Sequence, residues 1–92
     1  MLIVIKSPPG SSKALKAVIK AAELAADIVL VGEAVCHAVK DGLEGFCGTA
    51  FALEGDARRL LPGDTELEKG VKLVTEEEIE EMLGKEENSG PF

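Results

Sequence analysis

The residues able to do chemistry are few and cluster at a handful of places. Cys36 and His37 set a thiol beside the chain's one imidazole, and a second thiol follows at Cys47. Ser7-Pro8-Pro9-Gly10-Ser11-Ser12 is a short turn-rich segment with three hydroxyls, Glu54 and Asp56 bring two carboxylates together, and Arg58-Arg59 are the only arginines. Sequence patterns of the common nucleotide-binding, hydrolase and dithiol sites (GxGxxG, a P-loop, GxSxG, CxxC) do not occur. A thiolate is a nucleophile, and the dipole at a helix start favours it. Cys36 is therefore the candidate nucleophile, with His37 as its candidate proton partner. Two features weigh against this pairing. Adjacent side chains on a helix point about 100° apart, and Glu33 opposes a thiolate nearby. The plainer reading of Cys36 is a small buried apolar residue, a common fate of free cysteine, and the same structural role is expected of Cys47. A zinc site from Cys36, His37 and Cys47 lacks both the usual ligand spacing and a fourth ligand, so no metal or other cofactor is expected. The 7–12 segment can hold an anion if a helix starts behind it, or be an ordinary βα loop. Glu54 and Asp56 could steer a partner or position a proton, with solvation as the default, and Arg58 and Arg59 could anchor a subunit contact.

The elements that must position these groups follow from hydrophobic periodicity. Leu2–Ile5 and Ile28–Val31 are continuous apolar runs rich in β-branched residues, as expected of strands covered on both faces of a parallel sheet. Thr49–Leu53 and Val71–Val74 are more diluted runs of the same kind. Between the first two, Leu15, Val18, Ile19 and Ala22 recur with helical spacing, which predicts a helix over Ser12–Ala26 with that stripe inward and Ser11 or Ser12 as its cap. Short helices are predicted over Glu33–Lys40 and Gly55–Leu61. Thr75 and Glu78 form a capping box opening a last helix with Ile79, Met82 and Leu83 on its apolar side. The order β-α-β-α-β-α-β-α implies an α/β fold with a four-stranded parallel sheet between helix layers, joined by right-handed crossovers. Residues 1–84 make this single domain, and 85–92, polar and glycine-containing, are expected as a loose tail. Cys36 then lies beyond the second strand, at the C-terminal edge of the sheet where open α/β folds bind ligands.

Composition narrows the function classes. Ninety-two residues make one domain, and a 46% apolar content is too high for a disordered chain. The formal net charge of −7 argues against direct nucleic-acid binding, which needs clustered lysine and arginine. Only Lys13, Lys16 and Lys20 line up, and a solvated helix face accounts for them. The longest apolar stretch, Ala21–Val31, is interrupted by Glu23 and Asp27 and is too short to span a bilayer. The N-terminus has neither the basic n-region nor the long h-region of a signal peptide. A cytoplasmic protein with free thiols is the expectation.

Four segments stand out together: Met1-Leu2-Ile3-Val4-Ile5-Lys6-Ser7-Pro8, Asp27-Ile28-Val29-Leu30-Val31-Gly32-Glu33-Ala34-Val35, Phe51-Ala52-Leu53-Glu54-Gly55-Asp56-Ala57-Arg58-Arg59-Leu60, and Gly70-Val71-Lys72-Leu73-Val74-Thr75 with Glu78-Ile79. Through them the sequence resembles the DsrH/TusB branch of the DsrE/DsrF-like sulfur-relay family. The resemblance implies a small DsrE-like α/β subunit that self-associates to a dimer or higher oligomer and joins DsrE/DsrF- or TusC/TusD-like partners. Such assemblies pass persulfide sulfur between proteins, in 2-thiolation of the tRNA wobble uridine or in sulfur oxidation. The chain departs from the carrier patterns of the family. No cysteine follows the third strand, where Leu53-Glu54-Gly55 stand, and serines 7, 11 and 12 occupy the first loop, where DsrH-like members can carry one. If this chain holds sulfur itself, Cys36 is the residue expected to do so. Two other readings remain beside this one: a structural or regulatory interaction subunit without sulfur chemistry, and a small anion- or nucleotide-binding domain using Pro8–Ser12. Oligomerisation is also expected from Leu43, Phe46, Leu60 and Leu61, apolar residues that a monomer would tend to expose.

Overall fold

The computed structural model describes residues 1–39, 42–43, 46, 48–63, 65–68 and 70–92. Five parallel strands form one sheet: β1 (Leu2–Ile5), β2 (Asp27–Leu30), β3 (Ala50–Leu53), β4 (Val71–Val74) and β5 (Asn88–Ser89), in the spatial order β4-β3-β2-β1-β5. Three α-helices, α1 (Ser12–Glu23), α2 (Glu54–Leu60) and α3 (Glu76–Lys85), and a 3-10 helix (Gly32–Ala38) make the connections. The α/β class with a parallel sheet is as the alternating pattern implies.

The layering follows from the strand order. The steps β1 to β2 to β3 to β4 all move the same way across the sheet, so crossovers of one hand put their helices on one face. That face carries Ile3, Ile5, Ile28, Leu30, Ala50 and Ala52 beneath alanines of α1, the 3-10 helix and α2. The step from β4 to β5 runs back over the whole sheet, and α3 therefore lies on the opposite face. There Ile79, with Met82 and Leu83, covers Leu2, Val29 and Val74. Leu2, Ile3, Ile5, Val29 and Leu30 are fully buried, which accounts for the unbroken apolar runs of β1 and β2.

Three expectations are corrected by the structure. The sheet has five strands, not four, because the segment read as a loose tail runs along the free edge of β1. Leu2 pairs with Asn88 and Ile3 with Ser89. The Phe92 amide donates to the Val4 carbonyl at 3.0 Å, and the Phe92 carbonyl oxygen accepts from the amides of Lys6 (2.7 Å) and Ser7 (2.9 Å). An unpaired edge of backbone donors and acceptors is satisfied this way, and polar side chains do not prevent it because the bonds are made by the main chain.

The second correction concerns α1. Its buried stripe is Ala14, Ala17 and Ala21, with Val18 partly covered, whereas Leu15 is 63% and Ile19 48% exposed. Small residues let the helix sit close to the sheet, so the alanines face inward and the larger residues face out. Third, Leu43 is buried in the core, with Phe46, Leu60 and Leu61 packed against it; these residues close the monomer's own core and do not form an exposed patch. The exposed large apolar residues are Met1, Leu15, Ile19, Leu24 and Leu73.

Candidate functional site

The C-terminal ends of β1, β2 and β3 bring most of the chemistry-bearing residues to one edge of the sheet. After β2 the chain turns at Gly32, whose φ of +57° is a left-handed conformation suited to glycine, and enters the 3-10 helix. Ala34, Val35, His37 and Ala38 of that helix are buried, whereas Glu33 is exposed and Cys36 half-buried. In a 3-10 helix residues three apart eclipse, so Glu33 and Cys36 share the outward ridge. The helix opens at Gly32, not Glu33, and Cys36 is in its C-terminal half. Cys36 therefore does not occupy the first-turn position expected of it. What distinguishes this thiol is its partial exposure at the C-terminal edge of the sheet.

His37 points inward. Its Nε2 is 3.3 Å from the carbonyl oxygen of Ser7, which can only accept, so Nε2 carries the proton and Nδ1 is bare. The ring is 6% exposed, and burial pushes its pKa below the ordinary histidine value, partly offset by the bond to Ser7. The bond ties the 3-10 helix to the loop after β1, and no hydrogen bond joins His37 to Cys36. With Ser11, Ser12, Leu15 and Leu43, His37 lines an open cavity of about 300 Å³ beside α1. Ser11 occupies the N-cap position of α1 without a side-chain capping bond.

Asp56 is the other organising residue. One carboxylate oxygen accepts from the Gly32 amide at 2.8 Å and the other from Arg59 Nη2 at 2.9 Å. Arg59, then the Gly32 amide, hold this carboxyl below its ordinary range. Asp56 thus connects the loop after β2 to α2 and sets the position of a guanidinium. Glu54 pairs with Arg58 at 3.3 Å. Each arginine therefore pairs within its own helix while remaining well exposed.

Among the described residues, no group of three or more His, Cys, Asp and Glu could hold a metal ion, and no helix is long and apolar enough to cross a membrane. Cys47, read from sequence as structural, lies outside the described residues. Sequence reasoning overlooked a group of cations at this edge. Lys6, Lys13 and Arg59 line one cavity with Glu33. The signal was available, since Lys6 directly follows β1 and Lys13 falls in the first turn of α1, and a βα unit brings both to the same edge. No family model, no curated protein and no solved structure matches the chain.

Proposed function

We propose that this protein is a cytoplasmic sulfur-relay subunit of the DsrH/TusB type, acting within an oligomer with DsrE/DsrF- or TusC/TusD-like partners. The observation that carries the subunit role is the outward apolar stripe of α1. Leu15 and Ile19 stand exposed one helical turn apart, and the alanines behind them already satisfy the helix's contact with the sheet. Exposing two large aliphatic side chains on one helix face wastes burial that a partner recovers. Lys13, Lys16 and Lys20 lie on the same helix in a chain of net charge −7, which suits a partner surface with acidic groups around an apolar centre. The resemblance through β1, β2, β3-α2 and β4-α3 supplies the sulfur chemistry.

In this reading Cys36 is the carrier when the chain holds sulfur. Its thiolate attacks the terminal sulfur of a donor cysteine persulfide, the Cys36 persulfide forms, and the donor cysteine leaves as a thiolate. His37 does not serve as a hydrogen-bonded base in the free subunit, because its Nε2 is turned to the Ser7 carbonyl and no hydrogen bond joins its ring to Cys36.

The test is reconstitution with the TusC/TusD- or DsrE/DsrF-like proteins of the same organism. A stable complex by size-exclusion chromatography, abolished by Leu15→Glu with Ile19→Glu, is the expected result. Transfer of labelled sulfane sulfur through the complex should accompany it, and mass spectrometry of Cys36→Ser would tell whether this chain is a carrier or an accessory. Failure to form the complex, with no sulfur taken up from a persulfidated donor, would overturn the proposal.

A further inference from the structure

A second feature of the same sheet edge, independent of the sulfur-relay reading, is a cationic cavity on a strongly acidic protein. It is wide open to solvent and measures about 500 Å³, a volume within the range of roughly 300–1,000 Å³ usual for small-molecule sites. Three segments each contribute one cation to its lining: Lys6 directly after β1, Lys13 from α1 and Arg59 from α2. Among the described residues neither Lys6 nor Lys13 has an ion-pair partner, and Arg59 is oriented by Asp56 at 2.9 Å. Asp56 in turn is fixed by the Gly32 amide, so the guanidinium is placed relative to the loop after β2. Glu33 brings a side-chain carboxylate to the lining, Phe92 adds the terminal carboxylate of this chain, and Pro8, Pro91 and the Phe92 side chain form an apolar wall.

The charge balance defines the ligand class. Arg59 is largely neutralised by Asp56, and Lys6 and Lys13 stand against Glu33 and the α-carboxylate of Phe92, so no large positive excess remains. That balance sets an upper limit of one phosphoryl group of about −1.5 to −2 charge and disfavours a di- or triphosphate, whose additional charge would meet Glu33. The guanidinium offers a planar fork for phosphate oxygens and the lysines offer point charges. The apolar wall would accept the organic part of the molecule. The backbone amides of Lys6 and Ser7 are already bonded to Phe92, so side chains, not a backbone cradle, do the binding.

We infer that this cavity binds a small phosphate monoester, with its phosphoryl group among Lys6, Lys13 and Arg59 and its organic part against Pro8, Pro91 and Phe92. Adenosine 5′-monophosphate and inorganic phosphate serve as probes, titrated separately into the ¹⁵N-labelled full chain. Saturable shifts of the Ser7, Lys13 and Gly32 amides are expected, with the nucleotide binding tighter than free phosphate. Lys6→Ala with Lys13→Ala, both at exposed positions, should weaken binding about tenfold or more, and Glu33→Gln should strengthen it. The inference is overturned if neither probe gives saturable shifts at millimolar concentration, if the shifts fall away from the cavity, or if the double variant binds as well as the parent. Neither outcome bears on whether the partner complex forms.

Discussion

At the residue scale, His37 is the most consequential titratable group. It is buried neutral, with a pKa below the ordinary value of 6.5. Between the unfolded pKa and the lower folded one, the unfolded chain binds more protons, so stability is full above about pH 6.5 and declines as pH falls through that window. Urea midpoints at pH 7.5 and 5.5 measure the effect; His37→Gln, which keeps a donor for Ser7, should show a smaller drop than the parent. An equal drop would place the sensitivity elsewhere. Asp56 acts at lower pH. Its depressed pKa contributes stability present above the unfolded value of 3.8, lost as pH falls toward the folded one. Cys36 is half-buried on an outward ridge, and it is expected to be the faster thiol to alkylate at neutral pH. Comparing Cys36→Ser with Cys47→Ser under iodoacetamide decides this, and faster labelling of Cys47 would refute it.

At the element scale, one end of each of two helices invites a direct test. The C-terminus of α1 closes with the Ala26 amide on the Ala21 carbonyl (2.8 Å) and the Ala25 amide on that of Ala22 (3.3 Å). This is the Schellman arrangement, with Ala25 at φ +53° in the position where glycine is preferred. Left-handed backbone costs a residue with a Cβ about 1–2 kcal/mol, so Ala25→Gly is expected to stabilise the protein by about 1 kcal/mol despite glycine's greater unfolded-state entropy. A thermal midpoint raised by roughly 4–8 °C is the expected readout, and a lowered one would count against the cap. At α3 the reciprocal bonds of Thr75 and Glu78, both 3.2 Å, satisfy helix-start donors. Thr75→Ala should cost about 1 kcal/mol, measurable as a lower denaturant midpoint at constant slope.

At the scale of the whole molecule, two properties govern what the protein meets. One is the exposed stripe of α1, for which a solution mass at least twice 9.7 kDa by light scattering is expected at micromolar concentration; Leu15→Glu with Ile19→Glu should return it to the monomer mass. A parent that is already monomeric would remove self-association and leave only different partners for the stripe. The other is the charge of −7. Its repulsion of a polyanion predicts no sub-micromolar binding of tRNA at physiological salt in a gel shift. The cationic cavity does not change this expectation, because three side chains in a concave site do not make the extended basic track that a phosphate backbone requires.

Much of the architecture was legible because local patterns are sufficient for it. Unbroken β-branched runs, as in Leu2–Ile5, come from strands covered on both faces. The Thr75/Glu78 box is a matter of local spacing, and alternating strand and helix periods imply a parallel sheet. What only the tertiary structure decided depends on non-local contacts. Periodicity located an apolar stripe at Leu15, Val18, Ile19 and Ala22, but both it and the alanine stripe are helical, and closeness of packing against the sheet chose the alanines. Asn88–Ser89 has no strand pattern of its own and became β5 through main-chain bonds to an otherwise unpaired edge. The partners of His37 and Asp56 lie 30 and 24 residues away, respectively, in sequence, and Lys6, Lys13 and Arg59 meet because crossovers return successive strand ends to one edge. Such meetings are fixed by topology, which spacing along the chain does not record.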